Sequence, residues 1–155
     1  MHIAQINIAR AIAPLDDPRL AGFMSQLNAI NALADASPGF VWRLQTASGD
    51  ATALRVFDDP LIIVNMSVWE SLDALHAYVY RSAHAHVLRD RKRWFERFAG
   101  PYDALWWVPP GHIPTVEEGK ARLAHLEQHG PSEHAFWFVT PPQDESEKRG
   151  RPPIT

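Results

Sequence analysis

Asn7, Asn65 and His84 are the side chains of this chain whose types and predicted placement suit joint chemistry. A histidine at the edge of a buried helical face serves as general base, hydrogen-bond donor or metal ligand. Two amides on neighbouring strands can orient an oxyanion. The same residues also admit a plainer role, with His84 bonded to a backbone carbonyl at the edge of the core. Asn7, Asn65 and Ser67 would then bond to one another and to water, because buried polar groups are costly without partners. Arg43 suits a carboxylate ligand, or an acidic neighbour such as Asp103.

Aromatic side chains supply candidate walls. Trp42, Trp69, Trp94, Trp106 and Trp107 each suit core or dimer packing, and together suit the wall of a small-molecule pocket. Read as a helix at about 100° per residue, positions 71 to 98 put His76, Tyr80, His84, Val87, Trp94 and Phe98 on one side with Leu72, Val79 and Ala83. His76 sits early in that helix and reads as structural. His112 follows Pro110-Gly111 on a loop, where it can close a pocket mouth or stand in solvent. The expected substrate-binding set is therefore Trp42, Arg43, Ser67, Trp69, Tyr80, Trp94, Trp107 and His112.

Other chemistry finds less support. The chain has no cysteine, which excludes disulfides, thiolate metal sites and cysteine nucleophiles. His86 projects about 160° from His84 on an unbroken helix, so the two do not chelate one metal. His125 and His129 have a chelating i, i+4 spacing, but Glu127 faces elsewhere and Glu118 is nearly two turns away. No metal site is expected. Phosphate-binding glycine loops, nucleophile elbows and metalloprotease signatures are absent from the sequence.

The elements that must position these residues belong to a globular chain. At 155 residues, 46% hydrophobic and 21% charged, it predicts one domain with a substantial core. A formal charge of −3 argues against nucleic-acid binding, and Arg89, Arg91, Lys92, Arg93 and Arg97 read as a solvated helix face. No apolar run is long enough for a membrane helix, and Met1-His2-Ile3-Ala4-Gln5 does not resemble an export signal. Cytoplasm is the default expectation.

Alternation predicts strands at 3–9, 40–45, 61–69 and 104–108, and a short closing strand at 135–139. Asp16-Asp17-Pro18 starts a first helix that Ser37-Pro38-Gly39 stops. A long second helix is read over 71–98. Thr115 with Glu118 is a capping box for a third helix ending near His129. The domain is read as 1–140, followed by a polar, proline-rich, disordered tail at 141–155.

This order is the α+β, ferredoxin-like βαββαβ arrangement, an antiparallel sheet with helices on one face and a C-terminal helix-strand extension. Its first and third strands are neighbours, which sets Asn7 beside Asn65 if their mixed faces point the same way. The face carrying Ile6, Ile8, Val64, Met66 and Val68 would remain apolar and uncovered. A homodimer is expected to cover it.

Val68-Trp69-Glu70-Ser71 leading into a helix with Ala74-Leu75, Tyr78-Val79 and a later histidine resembles the dimeric α/β-barrel superfamily of antibiotic-biosynthesis-type and haem-degrading monooxygenases. More narrowly, Gln5-Ile6-Asn7, Pro38-Gly39-Phe40-Val41-Trp42-Arg43, Asn65 to Ser71, Tyr80 to His84 and Trp106 to His112 resemble an uncharacterised bacterial family of that superfamily, a domain of unknown function. The resemblance covers residues 2 to 139 and implies a dimeric barrel. Haem-degrading members use a first-strand asparagine, matched by Asn7, and a helical histidine, approximately matched by His84. Their helical tryptophan falls on Tyr78, so that element of the haem-degrading pattern is missing here.

Three functions follow as alternatives. One is a monooxygenase- or isomerase-like enzyme acting on a small apolar or aromatic molecule between sheet and second helix. A second is a haem-binding protein with His84 as ligand, and a third is a non-catalytic dimeric binding protein.

Overall fold

Residues His2–Arg10, Phe40–Arg43, Ile62–Trp69 and Asp103–Val108 form strands β1, β2, β3 and β4 of one antiparallel sheet in the order β2-β3-β1-β4. This is the ferredoxin-like topology that the element order predicts. The computed structural model describes residues 1–45, 56–82, 85, 89–96 and 102–137. His84, His86, residues 138–139 of the expected closing strand and the tail lie outside the described residues, while Phe136 of that segment forms only an isolated bridge with Leu105. Among the described residues no helix is long and apolar enough to cross a membrane.

Helices α1 (Ala21–Asp35) and α2 (Leu72–Arg81) cover one face of the sheet and α3 (Val116–His129) the other. Local chemistry sets their starts. Asp17 accepts from the Arg19 amide ahead of a 3-10 turn at Pro18–Leu20 that runs into α1. Ser71 caps α2 by accepting from the Ala74 amide at 3.1 Å, and Thr115 caps α3 by accepting from the Glu118 amide at 3.1 Å. Gly39, at φ 80°, turns the chain into β2 and passes so close to α2 that a Cβ there would lie 2.6 Å from the Ala74 Cβ.

Three expectations are corrected. The long helix read over 71–98 ends at Arg81, because Ser82 turns extended (φ −114°, ψ −179°) while its hydroxyl bonds back to the Tyr78 carbonyl. Trp94 is thereby separated from the α2 stripe. Its backbone bonds to Ile12, and its ring packs with Ala11, Leu20 and Phe23 in a separate cluster.

The Ile6, Ile8, Val64, Met66 and Val68 face is also not left for a second copy. Leu123 and Leu126 of α3 pack on it, and Gly119 sits so tightly that a Cβ would lie 2.9 Å from Ile6 Cδ1 and 3.0 Å from Met66 Cε. The apolar stripe of α3 thus uses the surface on which the dimer expectation rested. The third correction is at the capping box. Glu118 does not reach back to Thr115; its carboxylate accepts from Trp106 Nε1 at 2.9 Å and meets His112 Nε2 at 2.7 Å.

Candidate functional site

Alternation along the strands and the cross-strand register together compose the sheet face beneath α1 and α2. At one level lie Trp107, Ile3, Trp69 and Phe40; at the next, Leu105, Gln5, Ser67 and Arg43. The third level carries Asp103, Asn7 and Asn65 on β4, β1 and β3. Moving along the strands, this face changes from apolar to polar.

The polar levels open into a cleft. Gln5, Asn7, Asn65, Ser67 and Arg43 form its floor, while Asn31 and Ala34 of α1 and Tyr78 and Val79 of α2 form its sides with Trp69. The volume is about 430 Å³ counting solvent at the mouth, but only about 30 Å³ of it is room for water-sized groups. That is space for one or two such groups. Anything larger extends into the open part.

Packing fixes the walls. Trp69 is fully buried, donates from Nε1 to Ser67 Oγ at 3.0 Å, meets Phe40 edge-on at 5.5 Å and stacks on Tyr78 at 5.0 Å. Tyr78 donates to the Ile30 carbonyl at 3.3 Å, tying α2 to α1 above the cleft. Burial pushes its phenol far above the ordinary range, so it stays neutral. Arg43 donates to both oxygens of Asp35, at 2.7 and 3.3 Å. The expected Arg43–Asp103 pair does not form. Among the described residues the side-chain amides of Gln5, Asn7 and Asn65 bond to none, so their donors and acceptors remain available to whatever enters.

The sequence-expected residues thus divide. Asn7, Asn65, Ser67, Trp69 and Arg43 meet at one cleft. Trp42 packs with the core under α3, and His112 joins Glu118 of α3, so both stand on the opposite face. Trp94 belongs to the cluster beneath the start of α1. Tyr80 packs beside His76 at 4.9 Å, and Trp107 near Phe136 at 6.0 Å, neither lining the cleft. Among the described residues no histidine lines the cleft to ligate a haem iron.

Sequence reasoning missed Asn31 and Tyr78 as lining residues. Asn31 stands four residues after Leu27 and three before Ala34, within the buried stripe of α1, and that spacing is the available signal. Asp103, read from the sequence only as a partner for Arg43, is buried beside Asn7 instead. Its carboxyl is fully buried, and neither oxygen has a hydrogen-bond partner. Burial raises its pKa well above the ordinary carboxylate range, against a smaller lowering by the Arg91 charge.

In structure the chain is similar to SnoaB, a cofactor-independent oxygenase from Streptomyces nogalater, at TM-score 0.49 and 19% identity over 74% of this chain and 98% of that one. It is also similar to NE2512, a protein of unknown function from Nitrosomonas europaea, at TM-score 0.49 and 14% identity over 74% and 95%. Among curated proteins none matches. The model of one family, described as Domain of unknown function (DUF3291), matches residues 2–151, and the chain belongs to that family.

Proposed function

We propose that the protein binds a small aromatic molecule bearing an anionic or ionisable oxygen in the cleft between the sheet and α1 and α2, and acts on it in the manner of a cofactor-independent monooxygenase or isomerase. The observation that carries this reading is the juxtaposition of the unbonded amides of Gln5, Asn7 and Asn65 with the Trp69–Tyr78 stack at one cleft. Amide N–H groups aimed at one point stabilise charge developing on oxygen, most strongly where water is excluded. The polar floor suits the oxygen head, and the aromatic wall suits the ring.

In this reading Asn7 and Asn65 orient the oxyanion on the floor that Arg43, held by Asp35, completes. The acid/base role belongs to His84, as expected from the sequence.

The test is a titration with 4-nitrophenol, whose absorption reports its own ionisation. The phenolate form is expected to be favoured on binding, with about tenfold weaker binding in Asn7→Ala or Asn65→Ala. Equal binding by wild type and both variants would refute the proposal. In the same titration His84→Gln should leave binding intact.

A further inference from the structure

The register places Asp103 directly opposite Asn7 on the cleft side of the sheet. Ile8 donates to the Tyr102 carbonyl at 2.7 Å, which makes the next pair, Asn7 and Asp103, a non-hydrogen-bonded one. Pairs of that kind bring their Cα atoms to about 4.5 Å and their side chains closer than hydrogen-bonded pairs do. Leu105, two residues on, packs in the core beneath α2 while Ala104 and Trp106 pack under α3, which confirms the side that Asp103 faces. Asp103 therefore stands beside Asn7 on the adjacent strand, fully buried, with two unbonded oxygens, next to an amide that is itself unbonded.

We infer that Asp103 is a positioning residue that sets which end of the Asn7 amide faces the cleft, and thereby whether the cleft accepts an anionic or a neutral oxygen. This rests on the reading of the cleft as an oxygen-binding site. A neutral Asp103 carboxyl donates its O–H to Asn7 Oδ1, which turns Asn7 Nδ2 into the cleft as a donor. An ionised Asp103 accepts from Nδ2 instead, turns Oδ1 to the cleft, and adds a negative charge beside it. The first arrangement receives an oxyanion and the second repels it.

The surroundings favour the neutral form. Desolvation disfavours the carboxylate. The charged group acting on it among the described residues is Arg91, whose guanidinium also lies over the Tyr102 ring at 5.1 Å. From β1 it faces only the neutral amide of Asn7.

The experiment follows the side-chain amide resonances of Asn7 by NMR against pH, with and without 4-nitrophenol. In the wild type these resonances should move together with the Asp103 carboxyl carbon. In Asp103→Asn they should be independent of pH, and in Arg91→Gln the midpoint should rise. Wild-type affinity for 4-nitrophenolate should fall about tenfold as Asp103 ionises, and Asp103→Asn should lose this dependence.

PH-independent Asn7 resonances in the wild type, or an unchanged titration in Asp103→Asn, would overturn the inference. Wild-type and Arg91→Gln titrations test it even where Asp103→Asn fails to fold. Binding that depends on Asn7 while its resonances stay silent would overturn this inference and leave the function standing. Titrating resonances with no binding of the probe would do the reverse.

Discussion

Trp69 stacks on Tyr78 with ring centroids 5.0 Å apart and an interplanar angle of 26°, joining the end of β3 to the middle of α2 at the wall of the cleft. The stack also carries stability, since Trp69 is fully buried and its indole donates to Ser67. Replacing it tests both roles. Trp69→Ala should lose about 3–5 kcal/mol in urea unfolding. Trp69→Phe keeps one six-membered ring but removes the Nε1 donor and part of the buried indole, and should cost more than the roughly 1 kcal/mol of the lost hydrogen bond because a void is left. A Trp69→Ala variant as stable as the wild type would contradict this packing.

Asp103 should destabilise the fold at neutral pH. Its folded pKa is raised by burial, so the unfolded chain gives up its proton first as pH rises. Stability is then fully present below the unfolded-state pKa and declines up to the folded value, by about 1.4 kcal/mol per pH unit. Asp103→Asn should therefore be more stable than the wild type at pH 7, with the gain disappearing in acid. Thermal unfolding across pH measures it, and a neutral-pH loss in Asp103→Asn would contradict the assignment.

What the sequence made legible followed from period and topology. Alternation put Asn7, Asn65 and Ser67 on one strand face, and the ferredoxin-like order made β1 and β3 neighbours, so the Asn7–Asn65 pair could be read directly. Asp103 could not, because an acid ahead of an apolar strand reads as a solvent-side boundary until its neighbours are known. The break at Ser82 lacked the glycine or proline that usually marks a helix end. For α3, the apolar stripe showed that it packs without showing which face of the sheet receives it. Gly119 was the overlooked clue, since an interior helical glycine is costly unless something approaches closely.

That close approach should be sensitive to size. Ile6 Cδ1 and Met66 Cε, the atoms that a Cβ on Gly119 would meet, are the ends of flexible side chains and can give way to a methyl group. Gly119→Ala should therefore stay within about 1 kcal/mol of the wild type, helped by helix propensity. Gly119→Leu overpacks the interface and should lose about 1–3 kcal/mol. Unfolding in urea separates these outcomes, and equal stability of the two variants would argue against α3 lying on Ile6 and Met66.

Acid should loosen the end of α3. His125 packs against His129 at 4.6 Å and His134 at 4.9 Å, and burial first, then the charges of His129, His134 and Arg122, hold its pKa below the usual 6.5. Below that value the unfolded chain binds the proton more readily, so stability falls as pH drops. His125→Gln should flatten this acid limb in thermal melts. An unchanged limb in the variant would place its origin elsewhere.

The most direct test of the cleft is a crystal structure of the protein grown with 4-nitrophenol. The phenolate oxygen should lie at the cleft floor, about 2.7–3.2 Å from the side-chain nitrogens of Asn7 and Asn65, with the ring against Trp69 and Tyr78. A floor filled by the packed side chains of Asn7, Asn65 and Ser67, with the probe bound elsewhere or not at all, would contradict it.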